Sequence, residues 1–281
     1  MNKQWKLTVG AAALAASFGA QAGIVDLFST TQANLYDTTS GTDAYAQGLF
    51  SQAGAAADTT ILGGYRDLWV SALSGADNTA GSETGSKIGV SSGQLRFSND
   101  TGVTGVGEVQ WDGNDNSSAI ATSGLGGIDL TLGGSVNAFE VTTIFSDQNW
   151  VFEITMYTDA TNWTKVSLDA NSVGPGGTYG SPHISYIPFS AFTNNLLCGS
   201  YGAAPGVNAI TCSGAGANDT SLGALVARLN TGDATASQNP TISIDLQLDG
   251  IRTVPEPGVL ALMGMGLMAA GFASRRRKSQ A

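Results

Sequence analysis

The chain has one histidine, two cysteines and few positive charges, with 12 Lys and Arg against 22 Asp and Glu in 281 residues. Each shortage closes off some chemistry. A catalytic histidine needs a partner nucleophile or carboxylate, and nothing beside His183 in the sequence offers one. No H-E-x-x-H pattern occurs. Between residues 23 and 254 the basic residues are Arg66, Lys87, Arg96, Lys165, Arg228 and Arg252. They stand against 21 acidic ones, a net charge of −15. That leaves no basic stripe for a nucleic acid, and no nucleic-acid partner is expected. The acidic surface favours solubility and association with cations. Lys and Glu are scarce while Gly, Ser, Thr, Asn and Asp abound, a balance that disfavours helices and suits strands joined by turns.

Long apolar runs are confined to the two ends. At the front, Lys3 and Lys6 precede an apolar run from Leu7 to Phe18, and Ala20-Gln21-Ala22 forms an A-x-A cleavage site. This is the pattern of a secretory signal peptide over residues 1–22, with the mature chain starting at Gly23. The Sec translocon and signal peptidase are the partners it implies. At the back, Val254-Pro255-Glu256-Pro257 is followed by an uncharged stretch from Gly258 to Ser274, then by Arg275-Arg276-Arg277-Lys278. As a helix the uncharged stretch is roughly 25 Å long, just enough to span a hydrocarbon core of about 30 Å. The basic cluster should stay cytoplasmic. Pro255 and Pro257 disfavour helix, so Glu256 is expected in an extended, accessible segment at the membrane face. An ordinary single-pass anchor with a proline-rich neck is the plain alternative.

In order and placement these three parts resemble the C-terminal sorting signal of the PEP-CTERM family. The resemblance covers only residues 254–281. It implies an exosortase, a membrane-embedded protease of transpeptidase type, that recognises Pro255, Glu256 and Pro257 and cuts near them. It also implies a Gram-negative host making extracellular polysaccharide, transient anchoring in the inner membrane, and a final place at the cell surface, outside the cell or in a biofilm matrix.

The body, residues 23–253, reads as one all-β domain. Trp150, Phe152, Ile154 and Met156 alternate with Val151, Glu153 and Thr155, and the same period-two pattern runs through 139–145 and 242–248. Further strands are predicted at 66–73, 87–98, 106–112, 127–132, 162–168 and 183–189. Asp159-Ala160-Thr161 reads as a hairpin turn. Leu222–Leu229 fits either a helix or a strand. Residues 172–182 and 197–216 read as Gly- and Pro-rich loops. The pattern predicts an antiparallel β-sandwich, a jelly roll, and a few short phrases of sequence are loosely similar to galactose-binding-like jelly rolls.

Candidate sites are sparse. Cys198 and Cys212 are expected to form a disulfide in an exported chain; a metal or redox pair is the alternative, which the spacing and the lack of a nearby His disfavour. Asp112, Asn114 and Asn116 set oxygen atoms at alternate positions, as in calcium loops, so a structural Ca²⁺ and a plain polar turn are both open. Trp111 and Trp163 flank polar turns and are the candidates for stacking on a glycan, whereas Trp150 belongs to the core. Glu108, Glu140 and Glu153 could supply two facing carboxylates for glycoside hydrolysis, though strand glutamates usually mark a solvent face. The leading expectation is an exported, non-catalytic surface or matrix protein associated with polysaccharide. A carbohydrate-binding module and a glycan hydrolase are the alternatives.

Overall fold

A computed structural model describes residues 23–40, 49–77, 84–202, 206–232 and 240–256. The signal peptide with Ala20 and Ala22, Pro257, the predicted span, and Arg275, Arg276, Arg277 and Lys278 lie outside the described residues. Among those described, no helix is long and apolar enough to cross a membrane.

Fourteen strands are described: β1 (Gly23–Asp26), β2 (Gln32–Asp37), β3 (Leu49–Gly54), β4 (Tyr65–Ser74), β5 (Ser86–Ser91), β6 (Gln94–Asn99), β7 (Thr104–Trp111), β8 (Ala138–Ser146), β9 (Trp150–Tyr157), β10 (Trp163–Ala170), β11 (His183–Pro188), β12 (Val207–Ser213), β13 (Ala224–Thr231) and β14 (Asp245–Val254). They form two seven-stranded antiparallel sheets. Sheet A runs β11-β8-β14-β6-β5-β2, with β1 also on β14; sheet B runs β12-β10-β9-β13-β7-β4-β3. The all-β sandwich predicted from the alternation is therefore present.

Alternation decides which residues lie between the sheets. Trp150, Phe152, Ile154 and Met156 of β9 meet Leu225, Ala227 and Leu229 of β13 and Leu68 and Val70 of β4 in one core. Sheet A closes it with Ile88, Val90, Phe97, Phe139, Val141, Leu246 and Leu248. One helical turn, Ser190–Thr193, buries Phe192, whose ring lies edge-on to Phe139 at 5.6 Å.

Several elements depart from the sequence reading. The run 87–98 is two strands, because Ser92 and Gly93 take φ of 54° and 74° and fold it into a tight hairpin. Residues 127–132 are turns rather than a strand. There the Asp129 carboxylate accepts hydrogen bonds from the backbone N–H of Thr131 and Gly133, offering the chain a local alternative to a ladder. Residues 224–231 are a central strand, not a helix. Part of the expected loop 197–216 is the edge strand β12, whose Ala209 and Ile210 are buried.

Cys198 and Cys212 form a disulfide that ties the segment before β12 to the strand itself. Closing a loop this short removes about 3 kcal/mol of unfolded-state freedom. A Cys198→Ser/Cys212→Ser variant is expected to lose roughly that much stability, read as a lower urea midpoint with an equal or steeper slope as the unfolded chain expands.

Candidate functional site

The outward face of sheet B is built by register. Residues directly opposite on neighbouring strands point to the same side, so each rung gathers one row of side chains. One rung reads Ser167, Glu153, Arg228, Glu108 and Trp69. The next reads Lys165, Thr155, Val226, Gln110, Asp67 and Gln52. A third sets Trp163 opposite Tyr157. The sequence shows each strand's alternation but not the order of strands across the sheet, so these rows were not legible in it.

This face is polar yet largely covered. Glu108 is fully buried and Glu153 is 4% exposed. Ser118 and Ile120, from the segment after β7, lie over part of it: the Ser118 carbonyl accepts from Gln110 Nε2, and Ile120 lines the cavity described below. Two cross-strand ion pairs neutralise the glutamates, Lys165 Nζ to Glu153 at 3.2 Å and Arg228 Nε to Glu108 at 2.5 Å. Ser167 Oγ also donates to Glu153. Burial pushes the Glu108 carboxyl up to about 7, against the pull of the Gln110 amide. Arg228 is pushed down to about 10 by its own desolvation.

Where the cover ends, a shallow cavity of about 150 Å³ opens between Trp163, Tyr157, Thr155, Lys165, Val226, Arg228 and Ile120. Trp163 is half-buried, and its ring lies 6.2 Å from that of Tyr157, tilted by 46°. Two aromatic rings and two cationic side chains thus share one accessible depression. Trp163 falls where a ligand could stack on it.

Trp111 does not. It is fully buried, and its indole N–H donates to Asp26 Oδ2 at 2.9 Å. The polar turn that follows β7 suggested exposure, but Trp111 alternates with Gln110 and so points into the core with Val109. Of the three strand glutamates, Glu108 and Glu153 share a face with one strand between them, a backbone separation of about 9.6 Å from the strand spacing. Glu140 is on the other sheet, 3.8 Å from Arg252. The sequence Gly89-Val90-Ser91-Ser92-Gly93 spells a G-x-S-x-G pattern. It forms the β5–β6 hairpin rather than the strand-to-helix elbow that such a nucleophile requires. His183 opens β11 and stacks flat on Tyr179, 3.8 Å between ring centres.

In the turn after β7, Asp112 is buried while Asn114 and Asn116 are exposed. The carboxylates that gather there are Asp67, Asp112 and Asp115.

The sorting segment begins with no spacer after the fold. Val254 is the last residue of β14, opposite Ala138, and its carbonyl accepts from Asn137 N at 3.1 Å. Glu256 N donates to the Asn137 side chain at 2.6 Å. Gly23, the expected mature N-terminus, pairs with Thr253 on the neighbouring strand. Gly23 and the start of the sorting segment therefore meet at one end of sheet A.

The final strand runs directly into Pro255 and Glu256. Residues 253–278 match the family described as the PEP-CTERM protein-sorting motif. The motif implies export, a transient membrane-anchored state and processing by an exosortase. No curated protein matches the chain.

Proposed function

We propose that this is a non-catalytic protein of the cell surface or extracellular matrix, cut by an exosortase at Pro255-Glu256-Pro257, whose body contacts an extracellular polysaccharide through the Trp163 face. One observation carries the glycan reading: the accessible cavity that joins the Trp163 and Tyr157 rings to Lys165 and Arg228. A sugar ring offers an apolar face to such aromatics, and an acidic polysaccharide would meet the two cations. Burial and ion pairing of Glu108 and Glu153 support the non-catalytic reading, since neither carboxyl is open to a substrate. We also read the body as jelly-roll-like. The chain crosses repeatedly between sheets, with β3 and β4 in B, β5 and β6 in A, β7 in B and β8 in A. Release of the signal peptide after Ala22 by signal peptidase, following Sec export, is supported by the Ala20-Gln21-Ala22 pattern behind the apolar run.

Two measurements test this. Intact mass of the protein from its own host is expected to show a species lacking residues 1–22 and the span after Pro257. That species should disappear when the exosortase is deleted; an unprocessed tail in both strains would refute the sorting step. Trp163→Ala is expected to weaken retention on the host polysaccharide about tenfold, or ~1.4 kcal/mol, while Glu108→Gln leaves the glycan's chain length unchanged. Equal retention by the Trp163 variant would move the binding surface elsewhere, and glycan shortening lost in Glu108→Gln would revive hydrolysis.

A further inference from the structure

The rung that carries Lys165 ends, on β4 and β7, in a group of acids without a counter-charge. Asp67 lies directly across the ladder from Gln110, so the two side chains leave the same side of sheet B. Asp112 follows Gln110 by two positions. The chain then turns through Gly113 at φ 98°, packed so tightly on the Gly124 carbonyl that a Cβ would stand 2.8 Å from it. This turn returns Asp115 to the group. One carboxylate oxygen from each of Asp67, Asp112 and Asp115 lies within 4.8 Å of the others.

The protein satisfies half of these acceptors and leaves the rest. Asp67 Oδ2 accepts from Gln52 Nε2 at 3.3 Å, Asp112 Oδ2 from Ala121 N at 2.7 Å, and Asp115 Oδ1 from Ser117 N at 3.1 Å. Asp67 Oδ1 and Asp112 Oδ1 have no donor, though each residue is only 1% exposed. The same holds for the carbonyl oxygen of Gln110, a neutral side chain also 1% exposed, whose Nε2 is already engaged by Glu108 and Ser118. A buried acceptor without a donor is costly unless something positive enters.

No basic side chain of the body is left to do so. Arg66 pairs with Asp26, Lys87 with Asp100, Lys165 with Glu153, Arg228 with Glu108 and Arg252 with Glu140. Arg96 belongs to β6 on the other sheet and donates to Gln94.

The geometry points to a site for one hard divalent cation of the calcium class, held by Asp67, Asp112 and Asp115 with the Gln110 carbonyl as a neutral ligand. Calcium takes carboxylate and amide oxygens at about 2.3–2.6 Å, so two ligands of one ion stand at most about 5 Å apart. The spacing of the three carboxylates is within that limit. Burial and the repulsion of neighbouring carboxylates raise Asp67, which faces Asp112 and Asp115, and Asp112, which faces Asp115. A bound cation relieves that repulsion. It also pins the segment after β7 to β4, and so fixes the cover over the outer face of sheet B.

The test uses the full chain in detergent, stripped of metal with a chelator, and titrated with CaCl₂ and separately with MgCl₂ in a calorimeter, with thermal unfolding recorded in parallel. One-site calcium binding and a raised melting temperature are expected, with magnesium weaker. Asp67→Asn and Asp112→Asn should each weaken calcium tenfold or more. Asp115→Asn, at an exposed position, should weaken it severalfold, and it decides the matter if the buried variants fail to fold. Binding of equal strength in the Asp115 variant would place the ion elsewhere and overturn the proposal. So would a protein that binds no calcium at millimolar concentration.

Discussion

Asp26→Ala is expected to cost the body about 3–5 kcal/mol, the usual loss when one member of a buried ion pair is removed. Asp26 ends β1 on sheet A, and Arg66 stands near the start of β4 on sheet B. Neither is exposed at all. Arg66 Nη1 lies 3.0 Å from both carboxylate oxygens, and Trp111 Nε1 and Phe28 N donate to the same group. The rest of the guanidinium is used as well, Nε on Gln32 and Nη2 on the Thr30 carbonyl. The network joins the two sheets at the end of β1. Burial raises the Asp26 carboxyl, and the cation with its companion donors pulls it back. Without Asp26 the guanidinium is left as an uncompensated buried charge, which is far worse than having no pair. At about 2–4 °C per kcal/mol for a domain of this size, the melting temperature should fall by roughly 6–20 °C. Asp26→Leu combined with Arg66→Met should recover most of the loss, because exchanging a whole buried pair for apolar groups is often neutral. Trp111→Phe should cost less, about 1–2 kcal/mol, by taking away one charge-assisted hydrogen bond. Urea unfolding of the three variants measures all of this. A loss below about 1 kcal/mol for Asp26→Ala would mean that the apolar core alone holds the sheets together.

The strands that read clearly in the sequence are those with an uninterrupted alternation of period two. Trp150 to Met156 gave the right inward face because every second residue is large and apolar, and Asp159 to Thr161 gave the right hairpin. The first two strands escaped for a local reason. β1 has only four residues, and β2 shifts register between Gln32 and Leu35, so neither shows a sustained period. Leu222 to Leu229 was ambiguous because β13 lies in the middle of sheet B with both faces covered, which turns alternation into a continuous apolar run. At the candidate sites, Trp163 was visible beside its polar turn. Its neighbours Lys165 and Arg228 were not grouped with it, since they meet only through the order β10-β9-β13. Asp67 and Asp112 are 45 positions apart and come together through the pairing of β4 with β7. The motif-like spacing of Asp112, Asn114 and Asn116 drew attention to the right turn but not to its distant partner. The sorting segment needed no such pairing, because its order along the chain is itself the signal.

In the presence of a chelator, stability is expected to fall as the pH rises from about 6 to about 8. Asp67 is pushed up to about 8 by burial and by Asp112 and Asp115, with the Gln52 amide opposing; Asp112 is pushed up to about 6, chiefly by burial. Both ordinary values are 3.8. The folded state therefore holds protons that the unfolded chain has already released, so the unfolded state binds fewer, and stability must decline with rising pH. For Asp67 the contribution is complete below about pH 4 and lost by about pH 8; for Asp112 the loss ends near pH 6. Glu108, raised to about 7, acts in the same direction. Above pH 7 the rest of the Asp67 titration and the tail of that of Glu108 remain. Asp67→Asn should flatten that part of the curve, because an amide cannot lose the proton. Saturating calcium should remove the part of the slope that Asp67 and Asp112 supply, since a cation displaces their protons and the folded and unfolded states then hold equally few. Urea midpoints across this range, with chelator and with calcium, give the two curves. A flat chelator curve in the native protein would show that the three carboxylates are well separated in solution and repel one another little.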